Sequence, residues 1–434
     1  MTAPGATIAL QSRTAPPAIF RWVVLVFISM AMFGNYYVYD SISPLADVLA
    51  RQLGFTDSNI GLLNAIYSTP NIFMVLVGGI LIDRFGTKKS LFLFAFLCLL
   101  GAAITASYGT LAVMAAGRLV FGLGAESMLV AINSAIAKWF RGKELSFAFG
   151  LSLTLARLGS FAAFNSPSWA REAYQTWQGP LLIAAGAGVL CAAAAAVYWL
   201  LEAHAERNYE LGRAGQTDKV TLSETFRFGV SYWYVVALCI TFYSAIFPFQ
   251  TFAIKFFIDA HDVPRETAGF LVSMLTLFAM VCTPLFGLLV DHVGRRSLFM
   301  MFGSALLVPV YLIMAYTSVS LYLPMAMMGI AFSLIPAVMW PSVAYLVESN
   351  RLGTAYGLMT MVQNIGLAAF NLLIGAANDY AGASSLNPEG YRLGMWIFSS
   401  LGLFGLLFSY LLRRRETGPE ARGLETIKTG NASL

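Results

Sequence analysis

The sequence predicts an all-α membrane protein of twelve transmembrane helices in two six-helix halves. Three observations predict it. The chain is 58% hydrophobic and only 11% charged, where a soluble protein carries about 25% charged residues. Apolar runs of about 18 to 27 residues recur along it, the length that a spanning helix needs. The second half also repeats motifs of the first.

The runs fall near 22–46, 58–82, 88–107, 111–137, 144–169, 179–201, 231–258, 265–291, 296–316, 319–347, 352–378 and 391–413. The first is too long for a signal peptide, and residues 1 to 20 lack a cleavage pattern, so it reads as a retained span. The polar stretch 202–230 splits the spans six and six. The expected domains are therefore residues 1–201, a cytoplasmic linker 202–230, and residues 231–434 with a cytoplasmic tail. Loops on the N-terminal side hold Arg84, Lys88, Lys89, Arg141, Lys143, Arg207, Arg213, Lys219, Arg227, Arg295, Arg296 and Arg351. The opposite loops hold only Arg51, Arg171, Arg265 and Arg392. That bias places both termini in the cytoplasm. It also accounts for the net charge of +5, so no nucleic-acid partner is implied. Membrane lipids are the expected surroundings.

Cys98, Cys191, Cys239 and Cys282 all fall in apolar spans with no metal or disulfide spacing. His204, His261 and His292 lie in loops and do not cluster. Neither a metal nor another cofactor is expected. An enzyme is disfavoured as well: no nucleophile has a nearby base, and no Gly-rich phosphate loop occurs.

Gly79-x-Leu81-x-Asp83-Arg84-x-Gly86-x-Lys88-Lys89 follows the second span. Gly287-x-Leu289-x-Asp291-His292-x-Gly294-Arg295-Arg296 follows the eighth, at an offset of 208. The fifth and eleventh spans match at 207, with Gly150, Arg157 and Gly159 against Gly357, Asn364 and Gly366. Repeated halves of this kind enclose a site near the midplane. The signature, its position and the span count resemble the major facilitator superfamily. The resemblance implies that Asp83 and Arg84, and Asp291 in the second copy, form a cytoplasmic gate. His292 in place of Arg implies a weaker second gate; a loop that only sets topology is the alternative.

Further stretches resemble one branch of that superfamily, the lysosomal dipeptide uniporters of animals. They are Tyr39-Asp40, Tyr67-Ser68-x-Pro70-Asn71, and Gly117-Arg118-x-Val120-Phe121-Gly122-x-Gly124-x-Glu126-Ser127. Ala156-Arg157-x-Gly159-Ser160, Phe247-Pro248-Phe249, Lys255-x-Phe257, Trp340-Pro341 and Gln363-Asn364-x-Gly366 continue the likeness. It implies dipeptide uniport by alternating access. Residues 1 to 20 have no acidic dileucine signal, and the only glycosylation sequon, at Asn431, lies in the tail. Lysosomal targeting and an obligatory protein partner are therefore not carried over, and a bacterial inner membrane is expected.

A dipeptide presents an ammonium and a carboxylate about 6 to 7 Å apart. Glu126 and Arg157 stand near the middle of consecutive spans, where a charge costs about 2.5 to 3.5 kcal/mol. Glu126 suits the ammonium and Arg157 the carboxylate. Alternatively they pair with each other. Lys255 either turns inward to assist Arg157 or snorkels to the outer interface. Asp40 could be protonated, pair with Lys255, or bind the ligand amine. Tyr39, Tyr243, Tyr36 and Tyr37 could line the cavity or simply pack. Asn364, at the position that repeats Arg157, could contact the ligand. Arg118 is either structural or functional. Small residues at Gly122, Gly124 and Ala125 would allow close helix approach, and Pro70, Pro248 and Pro341 would kink their spans. Two other functions fit less well: a proton-coupled carrier of an organic anion or drug, and a membrane sensor or scaffold, for which no soluble output domain is present.

Overall fold

The computed structural model describes residues 16–140, 144–209, 228–348 and 351–426. Arg141, Lys143, Arg213, Lys219, Arg227 and Asn431 lie outside them. Fourteen α-helices follow in order among the described residues. They are α1 (Ala18–Asp40), α2 (Ala46–Leu53), α3 (Asp57–Phe85), α4 (Thr87–Ser107), α5 (Leu111–Phe140), α6 (Leu145–Phe164), α7 (Ser166–Trp169), α8 (Gln178–Asn208), α9 (Val230–His261), α10 (Arg265–Val293), α11 (Arg296–Tyr316), α12 (Tyr322–Leu346), α13 (Leu352–Tyr380) and α14 (Arg392–Glu416). With α2 and α7 set aside as short connectors, and α3 counted as one span despite a 55° bend between Met74 and Val77, twelve helices are long and apolar enough to cross a membrane. The bend follows Pro70, which lacks the N–H of a continuous helix.

The first expected span, 22–46, ends six residues early. Helix α1 stops at Asp40, a 3-10 turn covers Ser43–Leu45 with Pro44 inside it, and α2 follows. The carbonyls freed at Val38 and Tyr39 are taken up by the Arg118 guanidinium, at 3.2 Å each. At the other end, the sixth span runs on to Asn208, seven residues beyond 201. The buried Glu202 accepts from Thr87 at 2.7 Å and from Lys138 at 2.9 Å, so α8 ties the inner ends of α4 and α5. Thr56 opens α3 with a capping box: its hydroxyl accepts from the Asn59 amide, and its own amide donates to the Asn59 side chain.

Within the N-terminal half α5 packs on α3 and α4, and α8 on α1 and α4. Within the C-terminal half α14 packs on α9 and α11, and α12 on α10 and α11. Between the halves α3 lies against α13, and α6 against α10. Both copies of the repeated signature end their helix the same way. Gly86 and Gly294 adopt φ of 80° and 71°, and each amide closes the last turn at 2.8 Å. The face opposite the N-terminus is called the outer face below.

Candidate functional site

The predicted site residues separate into two layers. The central layer gathers Tyr36, Tyr39 and Asp40 of α1, Tyr67 of α3, Glu126 of α5, Arg157 of α6, and Tyr243 and Phe247 of α9. Gly122 makes this possible on the α3 side: a Cβ there would fall 2.3 Å from the Tyr67 carbonyl. The Tyr67 hydroxyl is aimed at Glu126, and Tyr36 stands within electrostatic range of Arg157, Glu126 and Asp40 together. Arg157 reaches across to the other half, its guanidinium 5.1 Å from the Phe332 ring and 5.9 Å from the Tyr36 ring. Among the described residues Glu126 and Arg157 form no ion pair with each other or with a third group. Both are half-buried. The Arg157 guanidinium lies between Tyr36 of one half and Phe332 of the other, so its exposed part faces the space between the halves.

Arg118 behaves differently. It is 1% exposed and donates to the carbonyls of Leu63, Val38 and Tyr39 and to Asn64 Oδ1, the last at 2.8 Å. It also lies 5.3 Å from the rings of Tyr67 and Phe121. Four of its five N–H groups are taken up by protein acceptors. Tyr243 is buried, accepts from Trp340 Nε1 at 2.8 Å and stacks on Phe247 at 5.6 Å. Asn364 is buried too; its amide donates to the Thr360 carbonyl at 3.0 Å, while Oδ1 has no partner among the described residues.

Above the central layer lies a small polar recess. Asp40, with the Ser160 hydroxyl beside it, shares that recess with Tyr39, Ser43, Asn64, Phe247, Gln250 and Thr251. Bonds between the halves form its roof. Asn64 donates to Thr251 at 3.1 Å, and the Ser43 hydroxyl donates to the Gln250 carbonyl.

The outer layer follows. Lys255 is 7% exposed, so it does not snorkel. Its ammonium contacts Asp57 at 3.1 Å, Asp259 at 3.0 Å and the Tyr391 hydroxyl at 2.7 Å. Nor does it pair with Asp40 or lie beside Arg157. It sits eight residues, about 12 Å along the helix axis, outward of Phe247, whose ring meets Phe332 at 5.9 Å. The reason is the buried Asp57 of α3, which offers a carboxylate at the level where Lys255 projects. Asp379 of α13 accepts from the Asp57 and Ser58 amides at 2.9 Å each, and Asn378 donates to Asp57 at 2.9 Å. Arg265 of α10 grips Asp47 of α2 with both terminal nitrogens, at 2.6 and 2.5 Å. The outer face is sealed by these pairs.

At the inner face Asp83 and Arg84 are exposed, and Arg84 lies over the Phe85 ring at 5.5 Å. Asp291 pairs with Arg296 at 2.9 Å inside its own half. Arg296 is buried against the Tyr345 ring.

The sequence matches the Major Facilitator Superfamily over residues 28–264 and again over 245–431. The chain belongs to the major facilitator superfamily. It is a multi-pass membrane transporter, not an enzyme, and its cargo is a small molecule. Among curated relatives of this superfamily, the protein named lysosomal dipeptide transporter MFSD1 of Danio rerio is 34% identical over 380 residues, 84% of this chain and 82% of that one. Its Homo sapiens counterpart is 32% identical over 452 residues, 98% and 94%. Among solved structures, a bacterial homologue of the human lysosomal transporter Spinster, in an inward-facing, unoccupied conformation, superposes with a TM-score of 0.72 at 15% identity, covering 92% of this chain and 98% of that one. A point mutant of the nucleoside transporter NupG gives 0.70 at 15% identity, 90% and 98%. Both share the major facilitator fold.

Sequence reasoning did not single out Asp57, Asp259, Asp379 and Tyr391. One signal was present: Lys255 and Asp259 are spaced i, i+4, which marks a helical pair. Nothing in the sequence pointed from Lys255 to Asp57 or Tyr391.

Proposed function

We propose that this transporter carries dipeptides by alternating access, as a uniporter, in a bacterial inner membrane with both termini cytoplasmic. One observation carries the reading. The central layer holds an anion and a cation, Glu126 and Arg157, partly exposed to an internal space and without ion-pair partners among the described residues. Leaving charges unpaired at mid-membrane is costly, and a zwitterion supplies the missing partner at each end. Glu126 takes the ammonium, helped by the Tyr67 hydroxyl. Arg157 takes the carboxylate, and the Phe332 and Tyr36 rings hold its guanidinium in place. Tyr39, Tyr243 and Asn364 border the peptide between them, with the Asn364 Oδ1 free to accept a peptide N–H. Asp83, Arg84 and Asp291 gate the inner face. The relatives named for dipeptide transport support the same substrate class.

The test uses purified protein in liposomes. Free dipeptides should bind and move down their gradient at equal pH and zero voltage. N-acetylated and C-amidated dipeptides should bind poorly, and Glu126→Gln should discriminate less against the acetylated form. Equal binding of capped and free dipeptides would exclude this site. Proton-coupled transport is the second reading. It rests on Asp40, a buried carboxylate with no ion pair among the described residues. Sustained accumulation driven by an inward proton gradient would select it over uniport.

A further inference from the structure

The outer seal contains a cation whose three donors are all committed. A lysine ammonium has three N–H groups, and Lys255 spends them on Tyr391, Asp259 and Asp57. The Tyr391 hydroxyl in turn donates to Asp259 at 2.6 Å. Lys255, Asp259 and Tyr391 belong to the C-terminal half and move together. Asp57 is the member from the N-terminal half. It is only 3% exposed, and α13 holds it in place through Asn378 and Asp379.

We propose that Asp57 is a positioning residue of the transport cycle. It locks Lys255 into the outer seal and releases it to the substrate carboxylate when the halves part on the outer side. Three points of the geometry support the exchange. In the sealed state Lys255 has no donor left for a ligand. Parting the halves removes one of its two carboxylates and frees one N–H, facing the gap between the halves. Lys255 also stands about 12 Å outward of the level at which Arg157 meets the C-terminal half, so a carboxylate held there has entered but has not reached the central layer. When Asp57 returns, it displaces the carboxylate inward, toward Arg157. Lys255 thus serves entry and Arg157 serves the occluded site, and one carboxylate is passed between them. The seal stands on geometry alone; only the ligand's identity rests on the dipeptide reading.

The experiment pairs two variants, Asp57→Asn and Lys255→Gln, in nanodiscs. Spin labels on exposed loop residues of the two halves, Thr110 and Leu386, report the outer distance without ligand. Both variants should shift the distribution to longer distances. Their transport kinetics in liposomes should then diverge. Asp57→Asn populates the binding-competent outward state and leaves one Lys255 N–H free, so KM should fall about tenfold and kcat should fall with it, because closure is impaired. Lys255→Gln opens the seal equally but should raise KM. A purely structural pair would move KM the same way in both variants. An unchanged outer distance in whichever variant folds would overturn the seal, and parallel KM changes would overturn the exchange. If neither variant nor the parent binds dipeptides, the ligand half falls with the dipeptide reading, while the distance shift still decides the seal.

Discussion

The outer seal and the central layer are built from the same residue types and use them in opposite ways. In the seal each charge meets its complement: Lys255 with Asp57 and Asp259, and Arg265 with Asp47. In the central layer Glu126 and Arg157 are left without an ion-pair partner among the described residues, though both stand deeper in the membrane. Desolvation makes the second arrangement the costlier one. On the dipeptide reading proposed above, a ligand completes it. The buried Arg118 and the half-buried Arg157 draw the same contrast over a shorter distance. Arg118 is satisfied by four protein acceptors, while Arg157 has aromatic faces and open space. The proposed function reads the saturated charges as structural or gating and the unfilled hydrogen-bonding capacity as binding.

Three substitutions break or sharpen that contrast. Arg118→Ala should have the largest effect. It removes a buried donor from the carbonyls of Val38, Tyr39 and Leu63 and from the Asn64 side chain, and loosens the Asn64–Thr251 link between the halves, at a cost of about 3 to 5 kcal/mol. A fluorescence melt or size-exclusion profile should show loss of the folded monomer. A melting point like the parent's would show that saturation does not measure structural importance.

Arg157→Gln comes next, and its effect should fall on function. Losing a charge-assisted contact to the carboxylate removes about 1.5 to 3 kcal/mol of binding, roughly ten- to hundredfold in dipeptide Kd. The melting point without ligand should stay near the parent's, since no ion pair is lost, only the contacts with the Phe332 and Tyr36 rings. Calorimetric titration beside the melt separates the two readouts. A large loss of stability would place Arg157 with Arg118, among the structural charges.

Glu389→Ala should have the smallest effect. Its pair with Arg392, at 2.9 Å, is largely exposed at the rim of the outer face, where such pairs contribute within about 1 kcal/mol. Melting and transport should both stay close to the parent's. A marked change in transport would extend the seal outward to the rim.

Much of the architecture was legible because its signals are local. The apolar runs, the Lys/Arg bias and the paired signatures specify the spans and the two halves without reference to distant residues. The depth of Glu126 and Arg157 follows from counting along their helices. Where boundaries moved, long-range groups moved them. Arg118 takes the α1 carbonyls and ends that helix at Asp40, and Lys138 and Thr87 hold Glu202 so that α8 continues past 201.

Lys255 shows where local reasoning stops. Its place near the outer end of its span, and its side of the helix, follow from helical periodicity. Its partners do not. Tyr391 lies 136 positions away in the chain, and Asp57 lies in the other half. By itself the sequence determined a two-fold repeated bundle, the order of its spans and the depth of each charge, because hydropathy and helical period depend only on neighbours along the chain. The tertiary structure alone decided which charges are neutralised and which, among the described residues, are left without an ion-pair partner. An ion pair depends on how two halves meet, and that meeting changes during the transport cycle.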